Sequence, residues 1–138
     1  MNQSYQLFTD GASRGNPGHA SAGAILKKNN SEVVAEISEY LGEMTNNQAE
    51  YIALRLGLQK ALELHIHPLE IFLDSELVVK QIKGLYKVKH PDLIPLFDEI
   101  KSLLTQLKNP PVTHVYREKN KEADKLANLA IDRYLGKK

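Results

Sequence analysis

Four carboxylates, Asp10, Glu50, Asp74 and Asp124, have the type and placing to do chemistry together. Asp10 follows the apolar run Gln6-Leu7-Phe8-Thr9 and opens a glycine-rich stretch that ends at Gly18. Asp74 follows a second such run, from Leu69 to Leu73. Glu50 and Asp124 each stand near the start of a segment with helical spacing. In open α/β sheets, ligands collect outside the carboxyl ends of the strands. Acids that end strands or begin helices are thus placed to share one crevice. Two bare carboxylates at ~4 Å repel by about 4 kcal/mol at an effective dielectric of 20. Hard divalent cations remove that cost and keep waters for a phosphate substrate. Two such ions can activate a water and stabilise the leaving oxygen of an in-line phosphodiester attack.

Each acid also has a plain structural reading. Glu50 can close a capping box with Asn47. Asp74 can cap the helix that follows it, and Asp124 can complement a helix dipole. Asp10 can stabilise its own turn. Taken singly, these readings outweigh the chemical one. Taken together, four acids expected in one crevice favour a cation site.

The elements that must position them follow from pattern. Gln6–Thr9 reads as a strand, and Ala22–Lys28 and Glu32–Tyr40 as two more, joined at the turn Asn29-Asn30-Ser31. Ala49, Ile52, Ala53, Leu56, Leu58, Ala61 and Leu62 recur at helical spacing, and Glu50 is expected in that helix's first turn. Leu69–Leu73 is a short strand, followed by a helix from about Ser75 to Ile82. Asp92 is the expected N-cap of a helix to Leu107, Val112–Arg117 the last strand, and Asn120 the cap of a terminal helix. Three strands and then an alternation with helices predict an α/β fold with a mixed sheet.

Composition limits the alternatives. The 138 residues are 42% hydrophobic and 25% charged, and are read as one globular domain spanning residues 1–138. No apolar run approaches membrane-spanning length, and Met1 to Tyr5 carries no leader pattern. The absence of cysteine excludes disulfides, thiolate catalysis and Cys-ligated zinc. A cytoplasmic monomer is the expectation. Net charge is only +1, yet charge is polarised: residues 31–50 carry five glutamates and no Lys or Arg, whereas residues 77–91 carry four lysines and no acid.

The acids sit in four contexts: Phe8-Thr9-Asp10-Gly11-Ala12-Ser13-x-Gly15-Asn16-Pro17-Gly18, Thr45-Asn46-Asn47-Gln48-Ala49-Glu50, Leu73-Asp74-Ser75 and Asn120-Lys121-Glu122-Ala123-Asp124-Lys125-Leu126-Ala127. In this order and spacing, the chain resembles ribonuclease HI, the type 1 ribonuclease H family, from about Tyr5 to Tyr134. The resemblance implies the ribonuclease H-like fold: a five-stranded mixed sheet, second strand antiparallel, with helices on both faces. It implies endonucleolytic cleavage of the RNA strand of RNA–DNA hybrids, leaving 5′-phosphate and 3′-hydroxyl ends. It makes Asp10, Glu50, Asp74 and Asp124 the ligands of two Mg²⁺ or Mn²⁺ ions, with Asp10 bridging them.

The resemblance also implies substrate contacts. Thr45 matches a residue that touches a DNA-strand phosphate, and Ser13, Asn16 and Asn46 match positions near the hybrid's minor groove, with Gly11 counted among the contacts. Short amide and hydroxyl side chains can read 2′-hydroxyls there. Two departures stand out. The segment after the last strand, Arg117-Glu118-Lys119-Asn120, has no His and no glycine-rich loop, which leaves Arg117 as the substitute and His114 as structural. Glu76 stands where a Gln often contacts substrate. Larger members carry a basic helical handle; this chain has only Lys80, Lys83, Lys87 and Lys89, expected to contact DNA-strand phosphates, with Lys83 counted among the substrate-binding residues. Short members of this kind extend the expected substrates to double-stranded RNA. The alternative is a hybrid-binding module of the same fold without catalysis.

Overall fold

Pairing rather than local propensity sets the length of the first strand. In the computed structural model, which describes residues 3–136, β1 runs from Tyr5 to Gly15 and passes straight through Asp10. The expected end at Thr9 is thus overrun. The cause is β2 (Gly18–Lys28), whose small residues pair with the glycine-rich stretch as far as Gly15 opposite Gly18. The turn into β3 (Glu32–Met44) places Asn29 and Asn30 in left-handed backbone at φ 53° and 60°, the conformation tight hairpins require. Met1 and Asn2, on which part of the leader reading falls, and Lys137 and Lys138 lie outside the described residues.

The sheet order is β3-β2-β1-β4-β5, with β4 at Leu69–Leu73 and β5 at Val112–His114. β2 is antiparallel to both neighbours, while β1, β4 and β5 run parallel. This is the expected mixed sheet. β3 is an edge strand on which Glu32, Glu36, Glu39 and Glu43 are exposed, so the acidic half of the charge pattern guards the edge against pairing with another chain.

Helices cover both faces. α1 (Asn46–Glu63), α2 (Glu76–Ile82) and α3 (Ile94–Gln106) share one core with Leu7, Leu26, Ile71 and Leu73. α4 (Lys121–Tyr134) lies on the opposite face. There Gly23 admits it so closely that a Cβ would stand 2.1 Å from the Ala123 carbonyl oxygen. Ser21 and Ser38 donate to the α4 carbonyls of Ala127 and Leu126, which fixes that helix's rotation on the sheet.

Several boundaries differ from the expected ones. Thr45 caps α1, accepting from the Gln48 N–H while the Gln48 side chain accepts from the Thr45 N–H. The capping box is therefore Thr45–Gln48, and Glu50 falls in the second turn with no capping duty. Ser75 caps α2 through the Val78 N–H, which leaves Asp74 free. α3 starts after Leu93 with no side-chain cap, and Asp92 does not cap it. β5 stops at His114, although the Val115 N–H still reaches the Leu73 carbonyl. A short 3₁₀ turn, Arg117–Lys119, then leads into α4.

Candidate active site

Strand register brings the first two acids together. Thr9 of β1 is level with Leu73 of β4, so Asp10 and Asp74 are the next residues of adjacent parallel strands and share a pleat. Their face is that of the stacked pair Phe8–Phe72, the α4 side of the sheet. Glu50 arrives from the other face, on α1. Gly11 makes this possible: a Cβ there would lie 2.3 Å from the Ala49 carbonyl carbon and the Glu50 nitrogen. The missing side chain lets α1 close on the strand, and the Gly11 N–H donates to Glu50 Oε1 at 2.5 Å.

Carboxylate oxygens of Asp10, Glu50 and Asp74 all lie within 4.8 Å of one another. Asp124, in the first turn of α4, lines the same cavity of about 350 Å³ but stands outside that tight group. Asp10 and Glu50 are buried, at 7% and 6% exposure, whereas Asp74 and Asp124 are half-buried. Burial, and then the charge of Glu50, push the Asp10 carboxyl far above its ordinary range. Burial also raises Glu50, against the opposing effect of its hydrogen bonds to Asp10 and Gly11. Among the described residues, no Lys, Arg or His forms an ion pair with any of these four acids. A buried carboxylate cluster without a cationic side chain suits a hard divalent cation, so the residues present fit Mg²⁺ or Mn²⁺.

The remaining expected residues divide. Arg117 is exposed and lines the acid cavity. Ser13 lines it too, with its hydroxyl turned to the Met44 carbonyl at 2.9 Å. Asn16 accepts from the Asn46 N–H at 3.1 Å, tying the β1–β2 turn to the start of α1. Asn46 forms a wall shared with a neighbouring cavity of about 510 Å³, lined also by Asn16, Thr45, Lys87, Lys89 and His90. The structure does not bring Lys83 to either cavity; it ends α2 and lines a separate hollow with Lys101 and Pro110. His114 ends β5, with its ring edge-on to Tyr116.

Three residues escaped the sequence reading. Asn128 donates to Asp124 Oδ1 at 3.2 Å and to the Asp124 carbonyl. Arg14 reaches Asn128 and pairs with Asp132 at 2.7 Å. Asn120, expected as a cap, makes no side-chain capping bond and donates to Asp74 instead. The signal for Asn128 was its place four residues after Asp124, on the same helix face.

A mixed sheet with carboxylates gathered at the middle of β1 and just beyond the end of the parallel neighbour β4 defines the ribonuclease H-like class of α/β protein. Comparison with known proteins agrees. The model of a family described as reverse transcriptase-like matches residues 8–130. A ribonuclease HI of Halobacterium salinarum is 42% identical over 91% of this chain and 63% of its own length. A bifunctional protein of Mycobacterium tuberculosis is 44% identical over 91% of this chain but only 35% of its own. The chain thus spans about a third of the length of such mycobacterial relatives. The compost-derived LC11-RNase H1, solved in complex with an RNA/DNA hybrid, superposes with a TM-score of 0.90 at 39% identity, covering 95% of this chain and 99% of that one. The chain belongs to the type 1 ribonuclease H family.

Proposed function

We propose that this protein is a metal-dependent endonuclease that hydrolyses the RNA strand of RNA–DNA hybrids, leaving 5′-phosphate and 3′-hydroxyl ends. The observation that carries the reading is the trio Asp10, Glu50 and Asp74, delivered by three elements to within 4.8 Å, with Asp10 and Glu50 buried and none of the three ion-paired among the described residues. Asp10, Glu50 and Asp74 would hold divalent cations, which would supply an activated water and stabilisation of the leaving 3′-oxygen. The protein's own contribution is placement. β1 and β4 fix Asp10 and Asp74 side by side, the Gly11 N–H orients Glu50, and α4 carries Asp124 to the rim. Arg117 offers a guanidinium at the mouth of the cavity, where a scissile phosphate carries negative charge. The adjoining cavity supports a second part of the reading. Its Asn16, Asn46 and Thr45 face Lys87, Lys89 and His90, polar groups for a minor groove next to cations for a phosphate backbone. The hybrid held by LC11-RNase H1 supports the same substrate.

The test uses one sequence as RNA–DNA hybrid, duplex RNA, duplex DNA and single-stranded RNA, each strand labelled in turn, with Mg²⁺, Mn²⁺ or EDTA. The expected result is cleavage of the hybrid's RNA strand with either cation and none in EDTA. Cleavage of duplex RNA would extend the substrate range. Hybrid binding without cleavage under every condition would replace this reading with that of a binding module.

A further inference from the structure

Asn120 occupies the N-cap position of α4, where an asparagine side chain ordinarily accepts from the N–H groups of the first turn. Here it makes no such bond. Its Nδ2 turns inward and donates to the Thr9 carbonyl at 2.9 Å and to Asp74 Oδ2 at 3.0 Å. The side chain is 1% exposed, and its Oδ1 has no hydrogen-bond partner among the described residues. The amide cannot turn over, because that would set Oδ1 against a carbonyl and a carboxylate, both acceptors. A residue serving only to start a helix would use its acceptor on the helix. This one leaves the acceptor idle and directs its donor at an acid of the site.

We propose that Asn120 is a positioning residue for the cation site, its amide clamping the Asp74 carboxylate to the middle of β1. This rests on the reading of Asp10, Glu50 and Asp74 as the cation-binding group. Thr9 immediately precedes Asp10, so the two bonds from one amide tie the Asp74 carboxylate to the backbone that carries Asp10. The same residue begins the helix that carries Asp124. Three of the four acids are thereby referred to one buried side chain. Asn128 does the corresponding work for Asp124 alone, from a half-buried position.

The experiment is calorimetric titration of the full chain with Mn²⁺ in the absence of nucleic acid, for wild type, Asn120→Ala, Asp74→Asn and the double variant. Outer partners of metal ligands typically contribute 10–100-fold in affinity. Asn120→Ala is therefore expected to weaken Mn²⁺ binding by about that factor, and to raise by the same factor the Mn²⁺ concentration giving half-maximal hybrid cleavage, with KM for hybrid unchanged at saturating cation. In the Asp74→Asn background, Asn120→Ala is expected to have almost no further effect on affinity. Should Asn120→Ala fail to fold, the near-isosteric Asn120→Leu carries the test, since it fills the same space with no donor for Asp74. Wild-type Mn²⁺ affinity in a folded Asn120 variant overturns the proposal, and so does an undiminished effect in the Asp74→Asn background. Failure of the wild type itself to bind Mn²⁺ would overturn instead the cation-site reading beneath it.

Discussion

The inner and outer acids of this site are held in opposite ways. Asp10, midway along β1, and Glu50 are buried, at 7% and 6% exposure, and Glu50 is oriented by a backbone amide, that of Gly11. Asp74 and Asp124 stand half-buried at the rim, oriented by the side-chain amides of Asn120 and Asn128. Backbone-held groups move only if a whole element moves. Groups held by side chains can adjust through a rotamer. Glu50 is therefore rigidly seated, and Asp74 is clamped by the buried Asn120, which leaves Asp124, held by the half-buried Asn128, as the acid with most freedom to adjust.

The largest effects follow from removing a member of each pair. Asp10→Asn is expected to lower hybrid cleavage by about 10³-fold or more, beyond the 10–100-fold typical of outer partners. Asp124→Asn, outside the tight trio, is expected to lose less and to recover in part at high Mn²⁺. Steady-state rates across a cation titration distinguish the two; equal, unrescued losses would erase the inner–outer distinction.

Next is the way the inner pair is seated. Gly11→Ala sets a Cβ against the backbone of Ala49 and Glu50. It is expected to cost about 1–3 kcal/mol, the usual range for overpacking, and to displace Glu50. Urea unfolding gives the first effect, and loss of Mn²⁺ affinity the second.

Burial of the inner pair also shapes stability against pH. Both Asp10 and Glu50 are raised above their ordinary values of 3.8 and 4.5. A raised carboxyl contributes stability that is full below its unfolded value and is lost as pH rises through its folded one. In EDTA, the protein is therefore expected to be most stable near pH 4 as far as these groups are concerned, and to weaken as pH rises towards neutrality and beyond. Asp10→Asn relieves that loss and is expected to raise stability in EDTA at pH 7, on the order of 1–3 kcal/mol, with the gain vanishing near pH 4. Thermal melts of both proteins across pH check this; a gain independent of pH would contradict it.

The smallest effect belongs to the rim. The Arg14–Asp132 pair is about one-third exposed on each side, so Asp132→Ala is expected to change stability by under about 1 kcal/mol. Its influence on activity should be confined to the Arg14–Asn128–Asp124 chain of contacts.

The acids were legible because their contexts are local: each ends an apolar run or begins a helical one. The mixed sheet was legible for the same reason, from hairpin punctuation followed by alternation with helices. What stayed hidden depended on partners distant in sequence. Nothing near Asp10 says that β1 continues beyond it, since the continuation is stabilised by β2. Thr45 and Asn47 are both good caps on paper, and backbone geometry chose Thr45. Asn120 reads as a cap until Thr9 and Asp74, 111 and 46 residues away, claim its donor. Lys83 belonged to a basic run, but the end of α2 turns it towards Lys101 rather than the acids.

The account stands on the claim that the gathered carboxylates make a cation-dependent nuclease. Its most direct measurement is cleavage of an end-labelled RNA–DNA hybrid by wild type and Asp10→Asn side by side, in Mg²⁺ and in EDTA, with the product ends mapped. The account predicts RNA-strand cuts ending in 5′-phosphate and 3′-hydroxyl for wild type with Mg²⁺ alone, and none for folded Asp10→Asn. Cleavage that persists in EDTA, or at a rate near that of wild type in the Asp10→Asn protein, would contradict it.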